Sequence, residues 1–491
     1  MLSPVSRSPC VGSLSSSTCG CTARSSTRTT RKSTARGQSS LTPPRPAEAG
    51  SLSSTRCFKM CGFSTTSNRV HIMQSRRQFV RQGLAGMATL ACASSSWASK
   101  TKGRPGSKLV IALAYGGWDT MWAFDPKPDN AEIDQVPGDV RMFGDLPIWA
   151  HDSRPNVTTF FEQWASRTAV VNGIAVESLA HESCVEVLLT GELAAQRPDL
   201  AARVAAELGT ERPLPYLALS AQAKTHPLES HTGILGDSNQ LMPLSAPALQ
   251  WPAPGGINPD LGLQLGASER EQLRAYLDAA AEKYAQEMGG SPRSDKMLRD
   301  YQTALAHAEQ LRESARQGGM LSDADLYQDF SGPWRHVAAA LGEGIAQVAL
   351  VQPNLFWDTH SRNSDQGGAF EEFFGGLNTL MADLSSGGIM EDTTILVLSE
   401  MGRTPLHNSQ AGKDHWPWTS AMVIGANVNG GRAFGETDSW LRPASLDLNT
   451  GEPTVDGEAL HAEHVLHAAA NLVGLDASDW FTREAFHALL G

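Results

Sequence analysis

The chain has 491 residues, of which 41% are hydrophobic, and this composition is typical of a globular protein with one large domain or two smaller ones. Its net charge of −12 is unevenly distributed, because residues 1–98 hold 13 Lys and Arg and a single acid, Glu48. Of the chain's 40 basic and 52 acidic residues, 27 and 51 remain in 99–491, which gives that part a net charge of −24. Such an acidic body argues against nucleic acid as a partner, since phosphate binding needs a basic face.

The N-terminal segment 1–72 is rich in Ser, Thr, Arg and Pro and has few large apolar side chains. It cannot bury enough apolar surface to fold, so we predict that it is disordered or a mis-called extension. Six of the seven cysteines lie in the first 98 residues, and Cys184 alone lies in the body. The body therefore cannot form an internal disulfide.

Residues 73–98 have the pattern of an export signal. Arg76 and Arg77 precede a short apolar stretch and the sequence Ser96-Trp97-Ala98, which suits cleavage after Ala98. The paired arginines resemble a twin-arginine signal, which predicts the twin-arginine (Tat) translocase as a partner and a periplasmic or extracellular location. Because such signals stand at the N-terminus, we expect Met73 to be the true start. No apolar run is long enough for a stable membrane span.

The body, 99–491, combines short apolar runs with amphipathic segments. Near-continuous apolar runs of this length predict strands that are buried on both faces, hence a mostly parallel sheet in an α/β sandwich. The strand candidates are 108–115, 168–174, 216–220, 347–352, 393–399 and 421–425. The helix candidates between them are 155–167, 184–189, 200–208 and 369–385.

The segment 268–317 differs from the rest of the body. Two long, charged, alanine-rich stretches are joined by Gly289-Gly290-Ser291-Pro292, and they predict a helical hairpin inserted into the α/β domain. Before it, 237–267 is rich in Pro and Gly and is predicted to be a loop.

Two polar motifs stand early in the body. Gly116-Gly117-Trp118-Asp119 follows the first strand candidate, where Asp119 is placed either to bind a cation or to stabilise a turn. His181-Glu182-Ser183-Cys184 opens a helix, whose N-terminus favours anions. His181 is therefore a candidate site residue, with a helix-capping or packed histidine as the alternative.

Two more motifs stand late in the body. Trp357-Asp358-Thr359-His360 follows a strand candidate, and its Asp and His either share one ion or form a surface pair. Ser399-Glu400-Met401-Gly402-Arg403-Thr404-Pro405 follows the next strand and leads to Lys413-Asp414-His415-Trp416-Pro417. Arg403 suits a phosphate, sulfate or carboxylate, or alternatively a buried ion pair with Glu400.

Polar groups at the carboxyl ends of strands are where open α/β sheets place their ligands. Imidazole and carboxylate groups suit zinc, manganese and iron, so these motifs together predict a site for one or two divalent ions, with zinc expected. The candidate metal ligands are Asp119, His181, Asp358, His360, Glu400, Asp414 and His415. The spacing of His461, His464 and His467 on a C-terminal helix is read mainly as packing.

These motifs resemble those of the bacterial family named domain of unknown function 1501, over about 108–491. That family is similar to the alkaline phosphatase and sulfatase superfamily, which implies an alkaline-phosphatase-like α/β/α sandwich with a two-metal site. By this resemblance Asp119, Asp358, His360, Glu400 and His415 match metal ligands. Met401 stands where the superfamily has a second histidine, and His181 stands where it has a Ser, Thr or modified Cys nucleophile.

The resemblance implies an exported metal-dependent hydrolase of phosphate or sulfate esters, whose substrate is a small anionic ester or a polysaccharide. In that function His181 and Arg403 are the candidate catalytic residues, with Arg403 steadying the anion. Ser183 and Cys184 lie close by as substitutes for the nucleophile. The alternative is a non-catalytic secreted protein of the same fold that binds a metal or another ligand, and a third option is that His181 is a ligand in a different chemistry.

Overall fold

The computed structural model describes residues 106–134, 136–193, 197–234, 267–288, 290–316 and 332–491. The predicted extension 1–72, the predicted signal 73–98 and most of the predicted loop 237–267 lie outside the described residues. Every described residue belongs to one unit, which spans Gln74–Gly491.

Twelve strands are formed by the described residues. Their bounds are β1 (Lys108–Leu113), β2 (Asp139–Phe143), β3 (Leu146–Ala150), β4 (Thr168–Ala175), β5 (Tyr216–Leu219), β6 (Thr232–Ile234), β7 (Val348–Val351), β8 (Thr393–Leu398), β9 (Gly402–Arg403), β10 (His415–Trp416), β11 (Trp418–Ile424) and β12 (Arg432–Phe434). Eight of them form the central sheet in the order β12-β4-β11-β8-β1-β7-β5-β6. Only β11 runs antiparallel to its neighbours in this sheet, so the predicted mostly parallel sheet is confirmed.

The helices described in the chain cover both faces of the sheet. Their bounds are α1 (Pro155–Trp164), α2 (His181–Thr190), α3 (Leu200–Leu208), α4 (Ala267–Met288), α5 (Pro292–Arg316), α6 (Gly332–Gly342), α7 (Asp365–Ser386) and α8 (Ala462–Leu472). Val110 and Ala112 of β1 belong to the core that α1, α6 and α7 cover, whereas Leu109 and Ile111 belong to the core under α2, α3 and α8. This alternation along a fully buried strand confirms the predicted α/β/α sandwich.

The predicted helical hairpin is also confirmed, as α4 and α5, with Gly290 at the turn between them. Strands β2, β3, β6, β9, β10 and β12 were not predicted, because they lie outside the continuous apolar runs from which the strand candidates were taken. The candidate 421–425 forms part of β11, which is the antiparallel member of the sheet.

Among the residues that the structure describes, we find no helix that combines the length and the apolar character needed to cross a bilayer.

Candidate metal centre

The candidate residues come together at one edge of the central sheet. Glu400 follows the end of β8, Asp358 follows β7, and His181 opens the helix after β4. His415 precedes β11, and because β11 runs antiparallel to its neighbours, its beginning lies at the same edge as their ends. Parallel strands with one antiparallel member thus bring four distant segments to a single place.

Three histidines surround the carboxylate of Asp358, and we call His181, Asp358, His360 and His415 the histidine–aspartate cluster. Asp358 Oδ1 lies 3.6 Å from His181 Nε2, 3.3 Å from His360 Nε2 and 3.4 Å from His415 Nε2. The Nε2 atoms of His360 and His415 are 2.9 Å apart. Ligand atoms of His181, Asp358 and His415 lie within 4.8 Å of one another, which is the spacing of a group that can hold a metal ion.

The other nitrogen of each ring has an acceptor. His181 Nδ1 is 2.6 Å from Glu400 Oε1, His360 Nδ1 is 3.0 Å from Asp414 Oδ1, and His415 Nδ1 is 2.7 Å from the Leu179 carbonyl oxygen. A carbonyl oxygen only accepts, as does an ionised carboxylate, so each Nδ1 carries the proton and donates it. In the neutral rings the three Nε2 atoms therefore direct their lone pairs into the cluster.

This arrangement fits a divalent ion. Two lone pairs 2.9 Å apart repel each other unless a positive charge lies between them, and His181 Nε2 is buried with no hydrogen-bond partner among the described residues. Zinc at ~2.0–2.1 Å from tetrahedral ligands separates them by roughly 3.3 Å, close to the distances in the cluster. Histidines that bind metal usually donate their other N–H to a carboxylate or a backbone carbonyl, as all three rings do here.

Asp358 is held ionised by its surroundings. Its partial burial raises the pKa of the carboxyl, but the hydrogen bond and charge of Arg403, helped by His415, outweigh burial and leave the pKa below its usual value. The pKa of His181 is raised, chiefly because its ring donates to Glu400, and partial burial opposes this only in part.

Arg403 has a different environment from the predicted one. Its side chain is fully buried, and it donates to the carbonyl oxygens of Gly117 at 2.8 Å and Lys413 at 3.1 Å and to Asp358 Oδ1 at 2.7 Å. It also donates to the Gly116 and Trp357 carbonyl oxygens. Since its donors are directed at the protein, the prediction that Arg403 contacts a substrate anion is corrected to a positioning role at Asp358.

Three predicted metal ligands do not belong to the histidine–aspartate cluster. Glu400 is fully buried and its Oε1 accepts from His181 and from the Gly116 backbone N–H, at 2.8 Å. Asp414 accepts from His360 and Asn408. Asp119 is also fully buried, and it pairs with Lys413 Nζ at 2.9 Å. The structure therefore gives these carboxylates histidine or lysine partners.

The close approach of the first loop to the cluster depends on glycine. At Gly116 φ is +128°, and a Cβ there would lie 2.9 Å from Trp357 Cβ and 3.0 Å from the Asp358 nitrogen. At Gly117 a Cβ would lie 2.8 Å from Met401 Cγ and 3.2 Å from an Arg403 nitrogen. Larger residues would push this loop off Arg403 and Glu400.

Some site residues were not found from the sequence. The Leu179 carbonyl and the Tyr115 ring, whose centroid is 5.6 Å from that of His181, belong to no polar motif. Gln366 donates to the Gly117 and Trp357 carbonyls and accepts from the Asp119 backbone N–H. It lies in the first turn of α7, before the apolar positions from which that helix was predicted.

Fold and site together define an α/β sandwich with a histidine–aspartate cluster at the carboxyl edge of its sheet. Residues 107–483 match the family described as protein of unknown function (DUF1501), and the chain belongs to that family, as its motifs predicted. No curated protein matches the sequence at a significant level.

Solved structures with distant similarity include the C-terminal periplasmic domain of EcEptC from Escherichia coli, at 8% identity, 79% coverage of this chain, 88% of that chain and a TM-score of 0.36. The PsFucS1 sulfatase from Pseudoalteromonas sp. matches at 11% identity, 82% and 72% coverage and a TM-score of 0.30. The phosphonate monoester hydrolase of Agrobacterium radiobacter matches at 11% identity, 75% and 74% coverage and a TM-score of 0.31.

Proposed function

We propose that the protein is an exported, metal-dependent hydrolase of phosphate or sulfate esters with an alkaline-phosphatase-like fold. The observation that carries the metal is the convergence of three Nε2 atoms on Asp358 Oδ1, with every Nδ1 donating to an acceptor. The ester class comes from the motif resemblance. A divalent ion bound there, with zinc as the expected one, would supply Lewis-acid catalysis.

The residues of the chain would orient the ligands and leave room for a substrate. Glu400, Asp414 and the Leu179 carbonyl fix the rings of the three histidines, and Arg403 fixes Asp358. The side chains of Asp358 and His360 are 41% and 46% exposed, so the cluster opens to solvent on one side. A small ester, or the ester group of a polysaccharide, can reach the cluster from that side.

The second candidate is a secreted metal-binding protein without catalytic activity. Two observations favour it. The cluster offers four protein ligands, which is the number found in closed structural zinc sites. Arg403, the predicted partner of a substrate anion, is buried and directs its donors at the protein.

The two candidates are separated by metal analysis and an activity panel. The purified protein is assayed for bound metals, then tested on phosphate and sulfate monoesters and diesters, with Asp358→Asn as the matched inactive control. Hydrolysis that needs a divalent ion and disappears in Asp358→Asn supports the enzyme. Stoichiometric metal without hydrolysis supports the binding protein, and the absence of both metal and hydrolysis refutes the metal site itself.

Export is a separate part of the proposal and rests on residues 73–98. We expect the twin-arginine translocase to export the chain into the periplasm or beyond, with cleavage after Ala98. Replacing Arg76 and Arg77 by Lys should leave the full-length protein in the cytoplasmic fraction. Export that continues unchanged in that variant would rule out the twin-arginine route.

A further inference from the structure

Two opposite charges are fully buried beside the histidine–aspartate cluster. The side chains of Lys413 and Asp119 are each 0% exposed, and Lys413 Nζ lies 2.9 Å from Asp119 Oδ2. An unpaired charge is very costly to bury, so the close approach of these two groups compensates the burial of both.

The surroundings of this pair are those of a cation held by a carboxylate. Asp119 Oδ2 also accepts from Asn363 Nδ2 at 2.7 Å, and Oδ1 accepts from the Met121 N–H at 3.3 Å. Lys413 Nζ lies 3.6 Å from Met121 Sδ. The oxygens of Thr359 and Asn363 hydrogen-bond to each other at 3.1 Å, one step beyond the carboxylate. A carboxylate oxygen is a ligand that hard divalent cations prefer, and here the Asp119 carboxylate already pairs with the ammonium.

The pair is also joined directly to the cluster. Lys413 immediately precedes Asp414 and stands two residues before His415. Its carbonyl oxygen accepts from Arg403 Nη1 at 3.1 Å, and Arg403 Nη2 donates to Asp358 Oδ1 at 2.7 Å. The residue whose ammonium pairs with Asp119 is therefore linked through its backbone and Arg403 to Asp358 of the cluster.

We infer that the Lys413 ammonium occupies a cation position at Asp119, so that this chain holds one divalent ion, in the histidine–aspartate cluster, rather than two. A second divalent ion at Asp119 would meet a buried like charge that already pairs with the carboxylate, and such repulsion is strong away from water. This inference rests on the proposed metal site in the histidine–aspartate cluster. It adds that the chain binds one ion and that Lys413 excludes a second.

The first test is the metal content of the purified full-length chain after loading with zinc or manganese and removal of unbound ion. We expect one equivalent per chain, lost in His415→Ala and retained in the double variant Lys413→Met/Asp119→Asn, which removes both buried charges together. Two equivalents in the native chain overturn this inference and leave the proposed site standing. No bound ion in the native chain overturns both.

The second test vacates the position of the ammonium. Lys413→Ser leaves the Asp119 carboxylate without its cation and opens space for another. We expect the metal content to rise from one equivalent to two, and the thermal midpoint to rise with added magnesium or zinc in this variant only. The double variant should show neither change. If Lys413→Ser folds and still binds one ion with no added thermal response, the pocket is not a cation position. If it does not fold, the native count still decides the number of ions.

Discussion

Two regions of this protein are rich in histidine, and they use it in opposite ways. In the histidine–aspartate cluster every Nδ1 has an acceptor and the Nε2 atoms converge on one carboxylate. At α8, by contrast, His461, the residue before the helix, has its Nε2 3.2 Å from Glu177, and His467 Nδ1 bonds to the Arg483 carbonyl oxygen at 2.9 Å. Acceptors at single ring nitrogens occur in both regions, so the difference teaches that convergence of several Nε2 atoms on one carboxylate defines the candidate metal site, more than the number of histidines does.

His464 of α8 shows the contrast most clearly. Its side chain is fully buried, and neither ring nitrogen has a hydrogen-bond partner among the described residues. The nearest carboxylate oxygen, on Glu458, is 3.8 Å from Nε2. Burial, helped by the charges of Arg483 and His461, lowers the pKa of His464 to about 4. A neutral, packed imidazole of this kind contributes to the core.

The largest effect that would test this comparison is the loss of bound metal. His415→Ala removes a converging Nε2 atom, and we expect metal affinity to fall by more than the ~100-fold that loss of a ligand's hydrogen-bond partner costs. His464→Leu, which removes a buried histidine of α8, should leave affinity unchanged. Isothermal titration with zinc measures both variants. Equal losses in the two would show that the cluster has no special place in metal binding.

The second effect concerns the rigidity of the cluster. Arg403→Met would remove one donor from four buried carbonyl oxygens, of which those of Gly117 and Trp357 keep a hydrogen bond from Gln366. The carbonyl oxygens of Gly116 and Lys413 would lose the Arg403 donor, at about 1–3 kcal/mol for each one left unsatisfied. After relaxation we expect the free energy of unfolding to fall by about 3–5 kcal/mol.

The matched control for that variant is Arg442→Met. Arg442 pairs with Asp438 at an exposed position, and its loss should cost only about 0–1 kcal/mol. Chemical denaturation measures both changes. Similar costs for the two arginines would mean that Arg403 is not part of a rigid frame around Asp358.

The third effect is a dependence of stability on pH. Because His464 is neutral in the folded protein until about pH 4 while an unfolded histidine gains its proton near pH 6.5, the unfolded state binds more protons in this window. The free energy of unfolding should therefore fall as the pH drops from 6.5 to 4, by about 3 kcal/mol in total.

His464→Leu should remove that contribution and flatten the pH profile over the same window. Denaturant melts at several pH values, compared between the native chain and the variant, isolate it from the other titrating groups. A variant that loses stability with acid as steeply as the native chain would place the titrating group elsewhere.

Much of the central sheet could be predicted from the sequence, because parallel strands that are buried on both faces have continuous apolar runs. The strands Lys108–Leu113 and Thr393–Leu398 begin at the predicted residues and end two residues and one residue before the predicted ends. The polar side chains after them lie at one edge of the sheet, as expected. The short strands β2 and β12 escaped prediction, since partly exposed segments carry no such run.

The roles of the polar residues were harder to predict. A motif shows that Glu400 and Asp119 lie near an edge of the sheet, but not whether a carboxylate faces an ion or a protein group. That choice depends on close packing, such as the lack of room for a Cβ at Gly116 beside Trp357 and Asp358. It also depends on which backbone carbonyl oxygens point towards Arg403. The direction of a carbonyl group cannot be predicted from a hydropathy pattern.

The smallest expected effect tests whether Glu400 binds the metal ion itself or only orients the ring of His181. In Glu400→Gln the amide oxygen can still accept from the Gly116 N–H and from His181 Nδ1, so ring orientation is kept while the negative charge is lost. Metal affinity should fall by about tenfold, the lower end of the range for hydrogen-bond partners of ligands. Glu463→Gln on α8, which alters a carboxylate bonded to Thr482, should leave affinity unchanged. A loss of affinity as large as that of His415→Ala would instead show that Glu400 binds the metal ion directly. Glu400 would then differ from Glu463 as a metal ligand, not as a group that orients a ligand.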